Sequence, residues 1–398
     1  MVSMRDMLVL ALVLPLGAVA SPAFLLTRAE SPDNTCGTTG NGGNPSAYSC
    51  PTSLPCCSVN GWCGATDDYC LASNGCQGQF GTCTQDGNPG DNGDQGSSGT
   101  GLCGPDNGNA VCGPNECCSA AGFCGTTSDH CKSPDCQFQF GPACDANKTP
   151  SGTNTSAVAR PQLGQIAYGG PGVYSCINPG DVALTFDDGP DRYTNDLLDL
   201  LKKYNASATF MVTGNNNAKG EIDDASLPWV NIIKRMYNEG HQIASHTWSH
   251  ADLCKITSAQ RRDEMYKLEM ALRNIIGVFP TYMRPPYSSC TAECGCEDDM
   301  AALGYSVIYF DLDTADYLHD SPTEIQQSKT IVDQAVAAKP AQSDNFLVIG
   351  HDIHQQTVYN LTEYMLQKFQ GKNMVTLGDC LGDPKGNWYR ADTRTTSG

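Results

Sequence analysis

Two short runs in the C-terminal half carry side chains able to do chemistry together. Asp187 and Asp188 stand side by side in Thr185-Phe-Asp-Asp-Gly-Pro190, and His246 and His250 close Ser245-His-Thr-Trp-Ser-His250. Histidines at i and i+4 share one face of a helical turn, a spacing suited to chelating one metal ion. Two surface histidines alone would mean little. Paired with two carboxylates at the end of another strand, they outline a metal centre. Two histidines and one carboxylate could also form the facial triad of a non-haem iron oxygenase. The adjacent second carboxylate fits hydrolysis better, because hydrolysis needs a base beside the metal-bound water.

Such residues need rigid elements behind them. Val182–Phe186, Ala208–Val212, Gln242–Ala244, Tyr305–Phe310 and Phe346–Ile349 are short apolar runs that read as buried parallel strands. Between them, Thr194–Tyr204, Trp229–Glu239, Thr257–Ile276 and Pro322–Ala338 have helical periods, two of them opened by the capping boxes Thr257-x-x-Gln260 and Ser321-Pro-x-Glu324. Alternating strand and helix predicts an α/β barrel whose functional loops follow the strand C-termini. Asp187-Asp188 and His246 to His250 fall on two such loops.

The 22 cysteines of this 398-residue chain are unevenly spread. Sixteen lie between Cys36 and Cys144, in two blocks of eight, with Cys57, Cys63 and Cys70 recurring at Cys118, Cys124 and Cys131. Blocks so short, with few large apolar side chains, need cross-links to hold a fold. The expected organisation is a signal peptide over 1–20, a first module over 33–84, a linker over 85–100, a second module over 101–146, a linker over 147–170 and a catalytic domain over 171–385. Both linkers read as flexible: 84–101 is a Gly/Asp/Asn/Ser tract, and 145–164 is rich in Thr, Ser, Ala and Asn. Arg5, the apolar run Met7–Ala20 and Ala18-Val19-Ala20 have the form of a cleaved secretory leader. A secreted, extracellular or cell-wall protein is therefore expected, without a glycolipid-anchor signal, and an oxidising compartment agrees with the cysteine load. Asn147, Asn154, Asn205 and Asn360 open N-glycosylation sequons. A net charge of −19 argues against nucleic acid or an anionic membrane as partners.

Five motifs, in order, resemble the polysaccharide deacetylases of carbohydrate esterase family four, chitin deacetylases in particular. They are Thr185-Phe-Asp-Asp-Gly-Pro190, His246-Thr-Trp-Ser-His250, Arg284-Pro-Pro-Tyr287, Asp313-Thr-Ala-Asp316-Tyr317 and Ile349-Gly-His351-Asp352. The resemblance implies a distorted (β/α) barrel with fewer strand–helix units than a full eight, and an N-deacetylase using one divalent metal ion, zinc or cobalt. It implies Asp188, His246 and His250 as metal ligands, Asp187 as general base and His351 as general acid. Arg284 would orient Asp187, Asp316 would orient His351, and the Tyr287 backbone N–H would stabilise the oxyanion. Tyr317 stands where the family commonly has tryptophan. His354 misses the motif position for the acid, Asp313 competes with Asp316 for the role beside His351, and His241 reads as structural.

The eight-cysteine blocks resemble hevein-type chitin-binding modules, the second more closely than the first. The family pairing implies Cys36–Cys57, Cys50–Cys63, Cys56–Cys70 and Cys76–Cys83, then Cys103–Cys118, Cys112–Cys124, Cys117–Cys131 and Cys136–Cys144. The sugar-binding positions would be Ser58, Trp62 and Tyr69 in the first module and Ser119, Phe123 and His130 in the second. Exposed rings there would stack on the CH-rich faces of N-acetylglucosamine. Asn60 and Ala121 stand where a further aromatic is usual, and the first module is expected to bind tighter. Among the remaining six cysteines, Cys176 and Cys380 bracket the catalytic block and are expected to tie its ends together as a disulfide. Cys290 pairs with Cys294 or Cys296, leaving Cys254 for the other. The combined expectation is a monomeric chitin deacetylase acting on chitin and its oligomers. The alternatives are a peptidoglycan or xylan deacetylase and a non-catalytic chitin-binding or masking protein.

Overall fold

The computed structural model describes residues 31, 34–37, 48–51, 54–71, 74–78, 80–83, 101–340 and 344–392. The expected signal peptide over 1–20 and the linker over 85–100 lie outside the described residues. The chain forms two compact units, dividing between Asn92 and Gly93. The first holds the first cysteine module, and the second holds the second module together with everything that follows.

The large unit is built on one parallel sheet. Its strands are β1 (Gly169–Val173), β2 (Asp181–Asp187), β3 (Ala208–Val212), β4 (Gln242–Ser245), β5 (Tyr282–Met283), β6 (Ser306–Ile308), β7 (Leu312–Asp313), β8 (Phe346–His351) and β9 (Asn373–Met374). They pair in the order β7-β8-β2-β3-β4-β5-β6-β1, with β9 also against β2. The helices α1 (Thr194–Lys203), α2 (Trp229–Asn238), α3 (Ser258–Ile276) and α4 (Ile325–Ala338) connect strands of this sheet. The result is a curled, incompletely closed barrel.

Alternation along β2 shows why it is buried on both faces. Val182, Leu184 and Phe186 belong to the cluster that includes Leu197 and Leu201 of α1. Ala183 points the other way, into a cluster with Met211, Ala244 and Leu347 from neighbouring strands. Thr185 and Asp187 follow the same inward register, so the strand delivers one carboxylate into the barrel mouth by its period alone.

The expected strand Tyr305–Phe310 is corrected to two, β6 and β7. They lie far apart in the sheet order, and the chain crosses the seam at Tyr309–Asp311, where Tyr309 N–H donates to Val173 (2.7 Å) and Asp311 N–H to Leu347 (3.0 Å). The capping box at Thr257 and Gln260 is formed. At Ser321 the hydroxyl accepts from Glu324 N–H at 3.2 Å, but α4 itself begins at Ile325, because residues 322–324 make a turn first.

Eleven disulfides are formed and none of the cysteines is free. Both modules have the pairing that their family resemblance implies, and Cys176 joins Cys380 across a separation of 204 residues. The open choice resolves as Cys290–Cys296 and Cys254–Cys294.

Residues 145–164 are not a free linker but a strap along α3. Ala146, Thr155 and Val158 are buried. Lys267 Nζ donates to the Ala146 carbonyl (2.8 Å), Arg273 to Thr153 (2.6 Å) and Asn274 to Ser151 (3.1 Å). Arg160 grips Glu269 through both terminal nitrogens (2.5 and 2.8 Å), and the Tyr305 hydroxyl donates to the same carboxylate at 2.9 Å. The strap's polar composition resembled a linker because its carbonyls find their donors on a helix more than a hundred residues away.

Candidate active site

The five motif loops converge on one cleft of about 450 Å³, lined by residues including Asp187, Asp188, His246, His250, Arg284, Tyr287, Tyr317 and His351. Four of the five bend sharply. Asp188, Thr247, His250, Tyr287, Ser288 and Ala315 all have φ between 51° and 76°. Non-glycine residues seldom adopt that region, and such strain gathers where surrounding packing fixes a functional geometry. At Asp188 the bend turns the second carboxylate out of the β2 register, so neighbouring acids can take different surroundings.

One group is ligand-like. The carboxylate oxygen of Asp188 and ring nitrogens of His246 and His250 lie within 4.8 Å of one another. Asp188 Oδ1 is 3.1 Å from His250 Nε2 and 3.6 Å from His246 Nε2. The Arg284 carbonyl sits 2.7 Å from His246 Nδ1, and a carbonyl can only accept, so that nitrogen carries the proton and Nε2 presents a lone pair. Burial pushes His246 down to about 3, keeping the ring neutral. Asp188 Oδ1 is buried without a hydrogen-bond partner. A neutral imidazole and an unpartnered carboxylate facing each other are mismatched unless a cation lies between them. The donor set therefore fits a divalent metal of zinc type.

Asp187 has a different environment. Its Oδ1 accepts from Arg284 at 2.7 Å, while Oδ2 lies 3.6 Å from His246 Nε2. Arg284 is 1% exposed, and it does more than orient the acid. It also donates to Thr185 Oγ1 (2.7 Å) and to the carbonyls of Ile308 (3.3 Å) and Tyr309 (2.7 Å). The guanidinium thus satisfies backbone oxygens at the barrel seam while holding the carboxylate.

Opposite stands His351. Its Nδ1 is 2.7 Å from Asp316 Oδ1, and Asp316 Oδ2 accepts from the His351 backbone N–H and the Thr357 hydroxyl, both at 2.7 Å. Burial opposes a charge on His351, but the Asp316 carboxylate, joined by those of Asp188 and Asp187, raises the ring to about 10. Between the two candidates, Asp316 is the one that contacts His351. Asp313 instead accepts from Ala315 N–H (2.8 Å) and the Tyr317 hydroxyl (3.3 Å). His354 lies 3.2 Å from Asp320, and buried His241 accepts from Ala208 N–H at 3.2 Å, in keeping with a structural role.

Three supports had no role assigned from the sequence. Lys219 donates to the carbonyls of Asp188 (2.9 Å) and Gly189 (3.0 Å) and to the Thr213 hydroxyl (2.8 Å). Asp352 is buried beside Gly189 and accepts from the Thr194 hydroxyl. Burial pushes Lys219 down to about 7 and Asp352 up to about 7. Glu264 of α3 accepts from Ser249 N–H (2.7 Å) and Oγ (2.6 Å), fixing the histidine loop. No local spacing links Lys219 and Glu264 to the motifs, whereas Asp352 closes the fifth motif, which left its own role unassigned.

The two modules repeat one small geometry. Ser58 Oγ accepts from Trp62 N–H (3.2 Å), as Ser119 Oγ does from Phe123 N–H (3.1 Å). Tyr69 lies against Gly64, where a Cβ would stand 2.2 Å from the ring, and His130 lies against Gly125 in the same way. Trp62 is 42% exposed, whereas Phe123 is half-buried.

Comparison with known proteins agrees with these motifs. Residues 175–308 match the polysaccharide deacetylase family and residues 102–144 the chitin recognition protein family. A chitin deacetylase of Colletotrichum lindemuthianum is 42% identical over 254 residues, covering 63% of this chain and 98% of that protein. A peptidoglycan-N-acetylglucosamine deacetylase of Listeria monocytogenes is 32% identical over 204 residues, covering 51% of this chain and 39% of its own length. The solved structure of the Colletotrichum chitin deacetylase superposes with a TM-score of 0.53 at 40% identity, over 56% of this chain and 97% of that one. With the five motifs gathered in one cleft and a relative matched over nearly its whole length, this chain belongs to the polysaccharide deacetylase family and is a carbohydrate-esterase-family-four hydrolase with a chitin recognition module ahead of its catalytic domain.

Proposed function

We propose that the protein is a secreted, monomeric chitin deacetylase that hydrolyses the N-acetamido groups of N-acetylglucosamine residues, giving chitosan and acetate. The observation that carries this reading is the opposition of two differently held groups across one cleft. Asp187 is fixed by Arg284, and His351 is fixed and kept charged by Asp316. Asp188, His246 and His250 would hold one divalent ion, zinc or cobalt, between them. That ion would supply Lewis-acid polarisation of the acetamide oxygen and a more acidic water.

The chain's own groups do the rest. Water loses a proton to Asp187 Oδ2, the oxygen not engaged by Arg284. Attack on the acetamide carbon forms the new C–O bond and shifts charge onto the carbonyl oxygen, which the backbone N–H of Tyr287 meets. His351 has Nδ1 committed to Asp316, so Nε2 delivers its proton to the nitrogen as the C–N bond breaks. Acetate and a free amine leave.

The chitin recognition module, the chitin deacetylase relative and the exposed ring of Trp62 support chitin as substrate. Secretion is supported by the apolar leader at residues 7–20 and by eleven disulfides. No described helix is long and apolar enough to cross a membrane. The testing experiment is acetate release from chitin oligomers before and after chelation. Activity is expected to vanish with chelator and return with zinc or cobalt. Return only with ferrous iron and a co-substrate would contradict hydrolysis, and release only from peptidoglycan or acetylated xylan would reassign the substrate.

A further inference from the structure

The second cysteine module does not hang beside the catalytic domain. It is clamped to it at both ends of one segment. The Asn217 N–H, in the loop after β3, donates to the Ser133 carbonyl at 2.8 Å, and Ser133 is 1% exposed. At the other end, Lys267 Nζ donates to Ala146 at 2.8 Å and Asn215 Nδ2 to Asp145 at 3.4 Å. The clamping loop is the one whose Thr213 and Lys219 support Asp188. A tether whose only task is to hold polymer needs no such seat.

Between these anchors, the module's residues 134–139 face residues 251–256 of the catalytic domain across a second cleft of about 360 Å³. Tyr287 lines both this cleft and the active-site cleft, so the two adjoin at one residue. It is 61% exposed, and its ring lies 4.7 Å from the ring of His250. The walls offer Phe138 as a second aromatic, Gln139 and Asp135 from the module, and Asp252 and Lys255 from the catalytic side. Lys255 and Asp252 stand 3.1 Å apart, and both Gln139 and Asp135 are exposed. Apolar ring faces bordered by a few amide, carboxylate and ammonium groups suit a pyranose, which has a CH-rich face and a rim of hydroxyls.

We propose that this groove is a distal sugar subsite, and that the second module forms one wall of the substrate cleft. It binds N-acetylglucosamine units of the same polymer strand whose acetamide lies at the active site. This rests on the chitin-deacetylase reading and gives that site a preference for longer oligomers.

The test is steady-state acetate release from N-acetylglucosamine oligomers of two to six units, using the full chain with zinc supplied. Wild type is compared with Phe138→Ala, Gln139→Ala and Lys255→Ala. The kcat/KM ratio of hexamer to dimer is expected to fall about tenfold in Phe138→Ala and roughly threefold in the other two, mostly through KM. Phe138 also packs in the module's small core, so the exposed Gln139 and Lys255 keep the test independent of folding. Unchanged ratios in Gln139→Ala and Lys255→Ala, with an active wild type, overturn the groove while leaving the deacetylase reading standing. A wild type that releases no acetate from any oligomer overturns both.

Discussion

The two cysteine modules are built alike and placed differently. Each has four bridges in the same order, a serine accepting from the backbone of an aromatic four residues on, and a ring laid on a glycine. The first keeps its tryptophan exposed and belongs to a unit separate from the catalytic domain. The second offers a half-buried phenylalanine at the matching place and spends its carbonyls on contacts with α3 and the β3 loop. A disulfide frame leaves the outer surface free to vary, because little of the stability depends on it. One copy could therefore keep the stacking face of a tether while the other gained an interface.

The largest expected effect separates holding from hydrolysis. Asp187→Asn should lower kcat by about a thousandfold, while both modules keep their retention on insoluble chitin. A parallel loss of retention would mean that the catalytic cleft, not the modules, does the holding.

Next in size is Asp316→Asn. The ring of His351 is raised to about 10, most strongly by Asp316 with Asp188 and Asp187 adding to it, and the acid must be protonated to work. Activity is therefore lost as pH rises toward that value, and a cation at Asp188 brings the limb somewhat lower by offsetting that carboxylate's charge. Removing the Asp316 charge lowers the pKa further, so the basic limb of the kcat profile should move to lower pH by about two units or more. A limb that stays in place would assign the acid elsewhere.

The seat of the second module can be loosened directly. Lys267→Ala leaves the buried Ala146 carbonyl without its donor, at an expected cost of about 1.5–3 kcal/mol. Thermal denaturation should show a fall of several degrees, and limited proteolysis should open residues 145–164. An unchanged Tm with the strap still protected would mean that the module is held by something other than this contact.

The smallest effect distinguishes the two faces. Trp62→Ala should weaken retention on insoluble chitin about tenfold, and Phe123→Ala roughly threefold or less. The reverse order would make the second module the tether.

Legibility followed the range of the interactions. Buried parallel strands such as β2 and β8 are continuous apolar runs, and so they could be read directly. The two-residue strands β5 and β7 carry no period, and β6 and β7 merged into one apparent strand because the seam between them is made by distant partners. The ligand-like trio and the pairs Arg284–Asp187 and Asp316–His351 were legible through the five-motif resemblance, which implied each role at its motif position. Lys219 and Glu264 were not, since each acts on a loop 15 or more residues away through contacts that only the fold creates. The strap 145–164 was misread for the same reason, its composition being that of a linker and its partners being on α3.

The most direct test of the account is product analysis by mass spectrometry of defined chitin oligomers, with metal content determined on the same protein sample. The account predicts one divalent ion per chain, acetate released in step with free amines on the oligomer, and loss of both products in Asp187→Asn. Intact oligomers from a metal-loaded wild type that still binds chitin would contradict it and leave a chitin-binding protein without this activity.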